Sequence, residues 1–288
     1  MAMPAATRAS VATMPPHLYF LVSAVFHYLG PAFAVLLFAR VDVLGVAFLR
    51  IVSAAAVFAL WRRPWRAFAG AGRGERRTLL GWGALLAVMN CCFYLAIDRL
   101  PLGTVAAIEF LPVVVLAALG ARTVRNGLAL ALAAPGVWLL TDVRLVAEPL
   151  GVLVAFANAA LFAGYIVLGH RVAQHAGGID GLAAAMLVAA VLVTPIAGWD
   201  AVAAFTDPVA LAAGAGVGIT SSVIPYVFDQ LAMARLARAT YALMVSLLPA
   251  TATVIGVLVL AQVPSPVEAA GVALVVAGVA LHRSPRAA

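Results

Sequence analysis

Lysine is absent from this chain, cysteine occurs twice, and only 10% of the residues carry charge. The first absence makes all 18 basic residues arginines. Cys91 and Cys92 are neighbours and point in different directions on any helix, which excludes a disulfide framework and a cysteine metal site. The scarcity of charge excludes an ordinary soluble domain, where about 25% of residues are charged. Signatures of chemistry are missing as well. Gly70-Ala-Gly72-Arg-Gly74 lacks the Lys-Ser/Thr that completes a phosphate loop. Gly214-Ala-Gly216-Val-Gly218 follows no strand and reads as a small-residue packing face, not a dinucleotide loop. No metal-ligand spacing and no serine–histidine elbow can be assembled. The expectation is therefore no enzyme and no cofactor.

What the chain has in abundance is apolar sequence, at 65% of residues and a mean hydropathy of +1.10. The apolar residues gather in ten runs: Leu18–Phe38, Val43–Leu60, Leu79–Ile97, Gly103–Gly120, Gly127–Leu140, Gly151–Gly169, Gly181–Gly198, Val209–Leu231, Ala239–Gln262 and Val267–Leu281. About 20 helical residues cross a hydrocarbon core of about 30 Å. Backbone groups in lipid must be satisfied within the segment, so each run is expected to be helical. The fifth and tenth are short and need residues from their flanks. Ala32-Phe33-Ala34 has the small-x-small form of a signal-peptide cleavage site. Apolar sequence nevertheless continues to Phe38, and only Arg8 precedes it, so the first run reads as a span.

The arginines sort onto alternate gaps between these runs. Fourteen fall on one side and three (Arg40, Arg99, Arg144) on the other, with Arg50 inside a span. Cytoplasmic loops carry the basic excess, which predicts that both termini are cytoplasmic. The net charge of +7 is thus a signal of orientation and not of nucleic-acid binding. The expected architecture is an all-α membrane protein of ten transmembrane helices, with the lipid bilayer as its surroundings.

The chain also repeats itself. Tyr94-Leu-Ala-Ile-Asp-Arg-Leu-Pro-Leu-Gly-Thr104 aligns with Gln230-Leu-Ala-Met-Ala-Arg-Leu-Ala-Arg-Ala-Thr240, and Leu111-Pro112 matches Leu248-Pro249 one residue out of register. A unit of five helices crosses the membrane an odd number of times, so its second copy must be inverted. This divides the chain into residues 1–144 and 145–288, a 5+5 inverted repeat of the kind that builds secondary transporters.

Two blocks give a resemblance to known proteins. Met89-Asn90-Cys-Cys-Phe-Tyr94-Leu-Ala-Ile with Leu100-Pro-Leu-Gly-Thr-Val-Ala-Ala-Ile-Glu109-Phe, and Pro225-Tyr-Val-Phe-Asp229-Gln-Leu-Ala-Met-Ala-Arg235-Leu running on to Pro249, are similar to bacterial threonine/homoserine exporters. Phe48-Leu-Arg50 and Tyr165-Ile-Val-Leu-Gly169-His-Arg171 are similar too. These exporters belong to the EamA-type branch of the drug/metabolite transporter superfamily. The resemblance implies ten helices, an inverted repeat and export of small polar metabolites across the bacterial inner membrane. The alternative within the superfamily is efflux of drugs or quaternary ammonium compounds; from other classes, a channel or an intramembrane enzyme is the rival. The partners expected are a small-molecule substrate and protons, with the chain as a monomer or homodimer. The sequence departs from the family pattern where Leu111 and Leu248 precede the prolines that usually follow glutamate.

Ionisable residues within a span cost about 2.5–3.5 kcal/mol on insertion scales and mark function by default. Arg50 and Glu109 are seven and six residues from the outer starts of their runs, so both sit about 9–10 Å below that interface. They read either as the two poles that hold a zwitterion or as a structural bridge between helices. His27, beside Gly30-Pro31 in the first run, is a candidate proton carrier with Glu109, or else a neutral hydrogen-bonded histidine. Asp229 is a third candidate, although a structural salt bridge to Arg235 or Arg238 is the preferred reading there. Asn90 and Tyr94 share one helix face, as do Asn158 and Tyr165. With Tyr226, Tyr241 and Ser246 they form the candidate lining of a substrate cavity, or an interhelical hydrogen-bond set. Pro31, Pro112, Pro195, Pro225 and Pro249 interrupt runs; such kinks either free backbone carbonyls for a substrate or simply shape the bundle.

Overall fold

The computed structural model describes residues 15–120, 123–145, 148–175, 178–233 and 247–281. Within them the chain is helical, with no strand. The elements are α1 (Pro16–Leu37), α2 (Val43–Arg62), the short α3 (Trp65–Gly70), α4 (Arg73–Ile97), α5 (Leu102–Gly120), α6 (Val124–Leu145), α7 (Pro149–His175), α8 (Ile179–Ala197), a 3₁₀ segment (Trp199–Thr206), α9 (Pro208–Gly218), a π turn (Ile219–Val223), α10 (Ile224–Met233), α11 (Leu248–Leu260) and α12 (Pro266–Leu281).

Six of these stretches are long and apolar enough to cross a membrane: Leu18–Leu37, Val43–Arg62, Arg73–Ile97, Pro149–Gly169, Ile179–Ala197 and Pro208–Asp229. Leu102–Pro112, Val124–Leu140, Leu248–Leu260 and Pro266–Gly278 are shorter apolar helices. The chain is a multi-pass membrane protein. Local chemistry sets the helix ends. Proline, whose missing N–H costs nothing in a first turn, opens α1 and α9. Asp207 caps α9 by accepting from the amides of Val209 and Ala210 at 2.9 and 3.1 Å. Ser265 and Glu268 form a reciprocal capping box at α12.

The structure differs from the sequence expectations at several boundaries. The arginine-rich gap at 61–78 contains α3 and the first six residues of α4. The gap at 199–208 is wound into the 3₁₀ segment rather than left as a loop. The eighth run is broken by the π turn, because Pro225 has no N–H to donate to the carbonyl four residues earlier. The fifth run does extend into its flanks, as α6.

The packing partners recur in a regular way. α4 packs on α7 as α9 and α10 pack on α1; α4 packs on α8 as α9 packs on α2; α5 packs on α7 as α11 packs on α1. The pairs α2 with α8, α5 with α11, and α6 with α12 complete the bundle. Close helix approach relies on small residues. Gly214 sits against Leu49, and Gly218 against Ser53 and the Arg50 carbonyl, so part of the Gly214–Gly218 stretch is the packing face its sequence suggests. Ion pairs tie the two ends of α2 to its neighbours. Arg40 meets Asp207 at 3.0 Å beyond its start, and Arg62 meets Asp180 at 2.6 Å at its finish.

Candidate functional site

α1, α2, α4, α5, α7 and α10 converge on one buried cavity. Its lining includes His27, Arg50, Asn90, Glu109, Asn158, Tyr165 and Tyr226, seven of the residues singled out in the sequence, together with Met89, Phe93 and Phe162. The cavity measures about 20 Å³, which is room for roughly one water. Anything the size of an amino acid therefore enters only when the surrounding helices part.

Arg50, on α2, is buried and held along one edge. Its Nε donates to Ser222 Oγ at 2.9 Å and its Nη2 to the Ser221 carbonyl at 2.9 Å. The Tyr226 hydroxyl stands 3.5 Å from Nη2. The guanidinium lies over the Tyr94 ring, 5.4 Å from its centroid, a contact worth about 0.5–2 kcal/mol depending on desolvation. Tyr94 thus supports Arg50 from below and is not part of the lining. The Ser221 carbonyl is available because its helical partner at position 225 is proline.

Glu109, on α5, has a different environment. Its Oε1 accepts from Asn158 Nδ2 at 3.0 Å. Its Oε2 and the Asn158 Oδ1 are buried with no hydrogen-bond partner. The two poles do not bridge: Arg50 is held by Ser222 and the Ser221 carbonyl and Glu109 by Asn158, with no ion pair between them. One wall of the site is therefore a fixed cation. The other presents two bare acceptor oxygens, a set that suits an ammonium group with three N–H donors.

Between the poles the surface is aromatic. Phe162 stacks on Tyr165 at 5.9 Å, Tyr165 lies 5.8 Å from Tyr226, and Tyr226 lies 6.1 Å from His27. Asn90 donates to the Leu86 carbonyl of its own helix at 2.7 Å, so its amide is not an interhelical bond here. Asp229 stands apart from the cavity and pairs with Ser23 Oγ at 2.6 Å, joining α10 to α1. Its proposed partners Arg235 and Arg238, like Tyr241 and Ser246, lie outside the described residues. Sequence reasoning missed Ser221 and Ser222. The available signal was three consecutive hydroxyl residues, Thr220-Ser221-Ser222, in the middle of an apolar run.

Comparisons with known proteins agree with this architecture. Residues 149–283 match the model of the EamA-like transporter family. The threonine/homoserine exporter RhtA of Escherichia coli (strain K12) is 31% identical over 254 residues, covering 86% of this chain and 84% of that protein. The same exporter of Salmonella typhimurium (strain SL1344) is 30% identical over 281 residues, covering 96% and 93%. A solved crystal structure shares the fold, with a TM-score of 0.61 at 22% identity over 93% of this chain and 97% of its own. A relative at this identity, aligned over most of both chains, together with the bundle and its charged core, places the protein in the EamA-like transporter family.

Proposed function

We propose that this protein is a ten-span secondary transporter of the bacterial inner membrane that exports small polar metabolites, above all amino acids, by alternating access. The observation that carries this reading is the cavity with an arginine on one wall and an unpaired carboxylate oxygen on the other. The cargo carboxylate meets the Arg50 guanidinium in two-pronged fashion. The cargo ammonium donates to Glu109 Oε2 and Asn158 Oδ1. Phe162, Tyr165 and Tyr226 cover the carbon skeleton and exclude water. A guanidinium inside the cavity disfavours a purely cationic cargo such as a quaternary ammonium ion.

The regular exchange of packing partners supports the inverted repeat, residues 1–144 against 145–288. If the first five spans are matched in order to the second five, each of the packing pairs named above maps onto another or onto itself. Alternating access is then the exchange of the two halves' conformations around a fixed site. The positive-inside distribution of arginines supports cytoplasmic termini. Proton coupling is the energy source we assign. With Leu111 and Leu248 at the proline-adjacent positions, Glu109 and His27 are the carriers inside the cavity, and Asp229 lies outside it near α1.

Counterflow in proteoliposomes tests the reading. Vesicles loaded with unlabelled L-threonine or L-homoserine are expected to take up the labelled amino acid, and vesicles loaded with tetraphenylphosphonium are not. Counterflow of the cation without that of any amino acid would replace this reading with multidrug efflux.

A further inference from the structure

The π turn in the eighth span holds Arg50 along one edge and is itself packed against α1. Pro225 removes the amide that would close the Ser221 carbonyl, and that carbonyl takes Nη2. Ser222 Oγ takes Nε from the same edge of the guanidinium. Gly30 of α1 presses on the turn from the far side; a Cβ at that position would run into Ser221 Oγ and come within 2.9 Å of the Ser221 backbone. Both hydrogen bonds lie on the side edge of the guanidinium, formed by Nε and Nη2. The end edge, formed by Nη1 and the second hydrogen of Nη2, makes neither of these bonds; the Tyr226 hydroxyl stands 3.5 Å from Nη2, a longer contact that a carboxylate would displace, and Arg50 lines the cavity. π turns recur at functional sites because the shifted ladder releases backbone groups for other partners.

We propose that Ser222 and the π turn are the positioning device of the site: they hold the side edge of Arg50 on the eighth span so that its end edge receives the cargo carboxylate. The inference rests on the clamp reading above and adds two residues, Ser222 and Pro225, that touch no cargo. A free arginine side chain has many rotamers, and each hydrogen bond that fixes its fork lowers the entropy lost on binding. The device also joins the cation, contributed by the first five spans, to the second five.

The test compares two ligands on the purified chain in detergent: L-threonine, and the amino alcohol in which its carboxylate is replaced by CH₂OH. Ser222→Ala is expected to weaken L-threonine binding about tenfold, as loss of a charge-assisted hydrogen bond does, and to leave amino-alcohol binding unchanged. Ser222→Thr keeps a hydroxyl and is expected to restore the preference. Pro225→Ala supplies an amide for the Ser221 carbonyl and attacks the second anchor; it is expected to narrow the same preference without removing any side chain that Arg50 uses. Melting temperatures confirm that each variant is folded. Equal weakening of both ligands, or an unchanged preference in both Ser222→Ala and Pro225→Ala, would overturn the proposal. Arg50→Ala separates the two levels. If it leaves the preference intact, the clamp itself is wrong; if it abolishes the preference while the Ser222 and Pro225 variants do not, only the positioning role is lost.

Discussion

Arg50 and Glu109 face the same small cavity, are both buried, and are treated in opposite ways by the fold. Arg50 has two acceptors on one edge and an aromatic ring beneath it. Glu109 has a single donor, and one of its oxygens is bare. A purely structural pair would neutralise itself, because two opposite charges in low dielectric gain most by meeting. These two are held apart by separate partners on separate helices. The difference teaches that the cation is pre-organised while the carboxylate keeps an unmet acceptor, which is the asymmetry the proposed clamp requires.

Mutating the poles should break this comparison with the largest effect. Arg50→Ala is expected to cost at least a hundredfold in L-threonine binding. It should also lower stability by about 1–3 kcal/mol, because Ser222 and the Ser221 carbonyl are left as buried, unmet acceptors. Glu109→Gln is expected to abolish counterflow while the melting temperature holds or rises, since a buried charge with an unsatisfied oxygen is removed. The double variant should stay inactive. Recovery of transport in the double variant would mean that the two charges pair during the cycle and that the clamp is wrong.

Gly30→Ala sharpens the comparison, because it reaches the arginine alone. The added methyl must push α1 away from the π turn, at about 1–3 kcal/mol for an overpacked contact. Threonine binding should weaken, and the stability of the Glu109→Gln background should fall by the same amount as that of the native chain. A non-additive result would show that the π turn also supports the anionic wall. The smallest effect is expected far from both poles. Asp180→Asn removes the Arg62–Asp180 pair, whose side chains are 33% and 43% exposed, and such surface pairs contribute at most about 1 kcal/mol. A larger loss, read as thermal stability in detergent, would make this end of α2 a structural anchor.

The apolar runs were legible because membrane immersion is a local constraint: each segment in hydrocarbon must satisfy its own backbone, whatever surrounds it. The candidate site was legible for a related reason. Arg50, Glu109, Asn90 and Asn158 are costly in an apolar segment, so their presence announces a protected interior. Ser221 and Ser222 did not stand out, because a serine in a span satisfies itself on its own helix at little cost, as Thr220 does on the Gly216 carbonyl at 2.8 Å. The 3₁₀ segment after α8 is not announced by its sequence, since its apolar residues Val202 and Phe205 have no long period to declare a helix.

Composition and charge pattern alone determined that this is a helical membrane protein with a buried cation and a buried carboxylate, because the cost of each such residue in lipid is paid at its own position. Only the tertiary structure decided which groups meet. Arg50 finds Ser222 across 172 residues of sequence, and Glu109 finds Asn158 across 49. The choice between a bridge and two separate poles depends on helix rotation and on a proline-released carbonyl in another span, and neither is set by the residues adjacent to the charge.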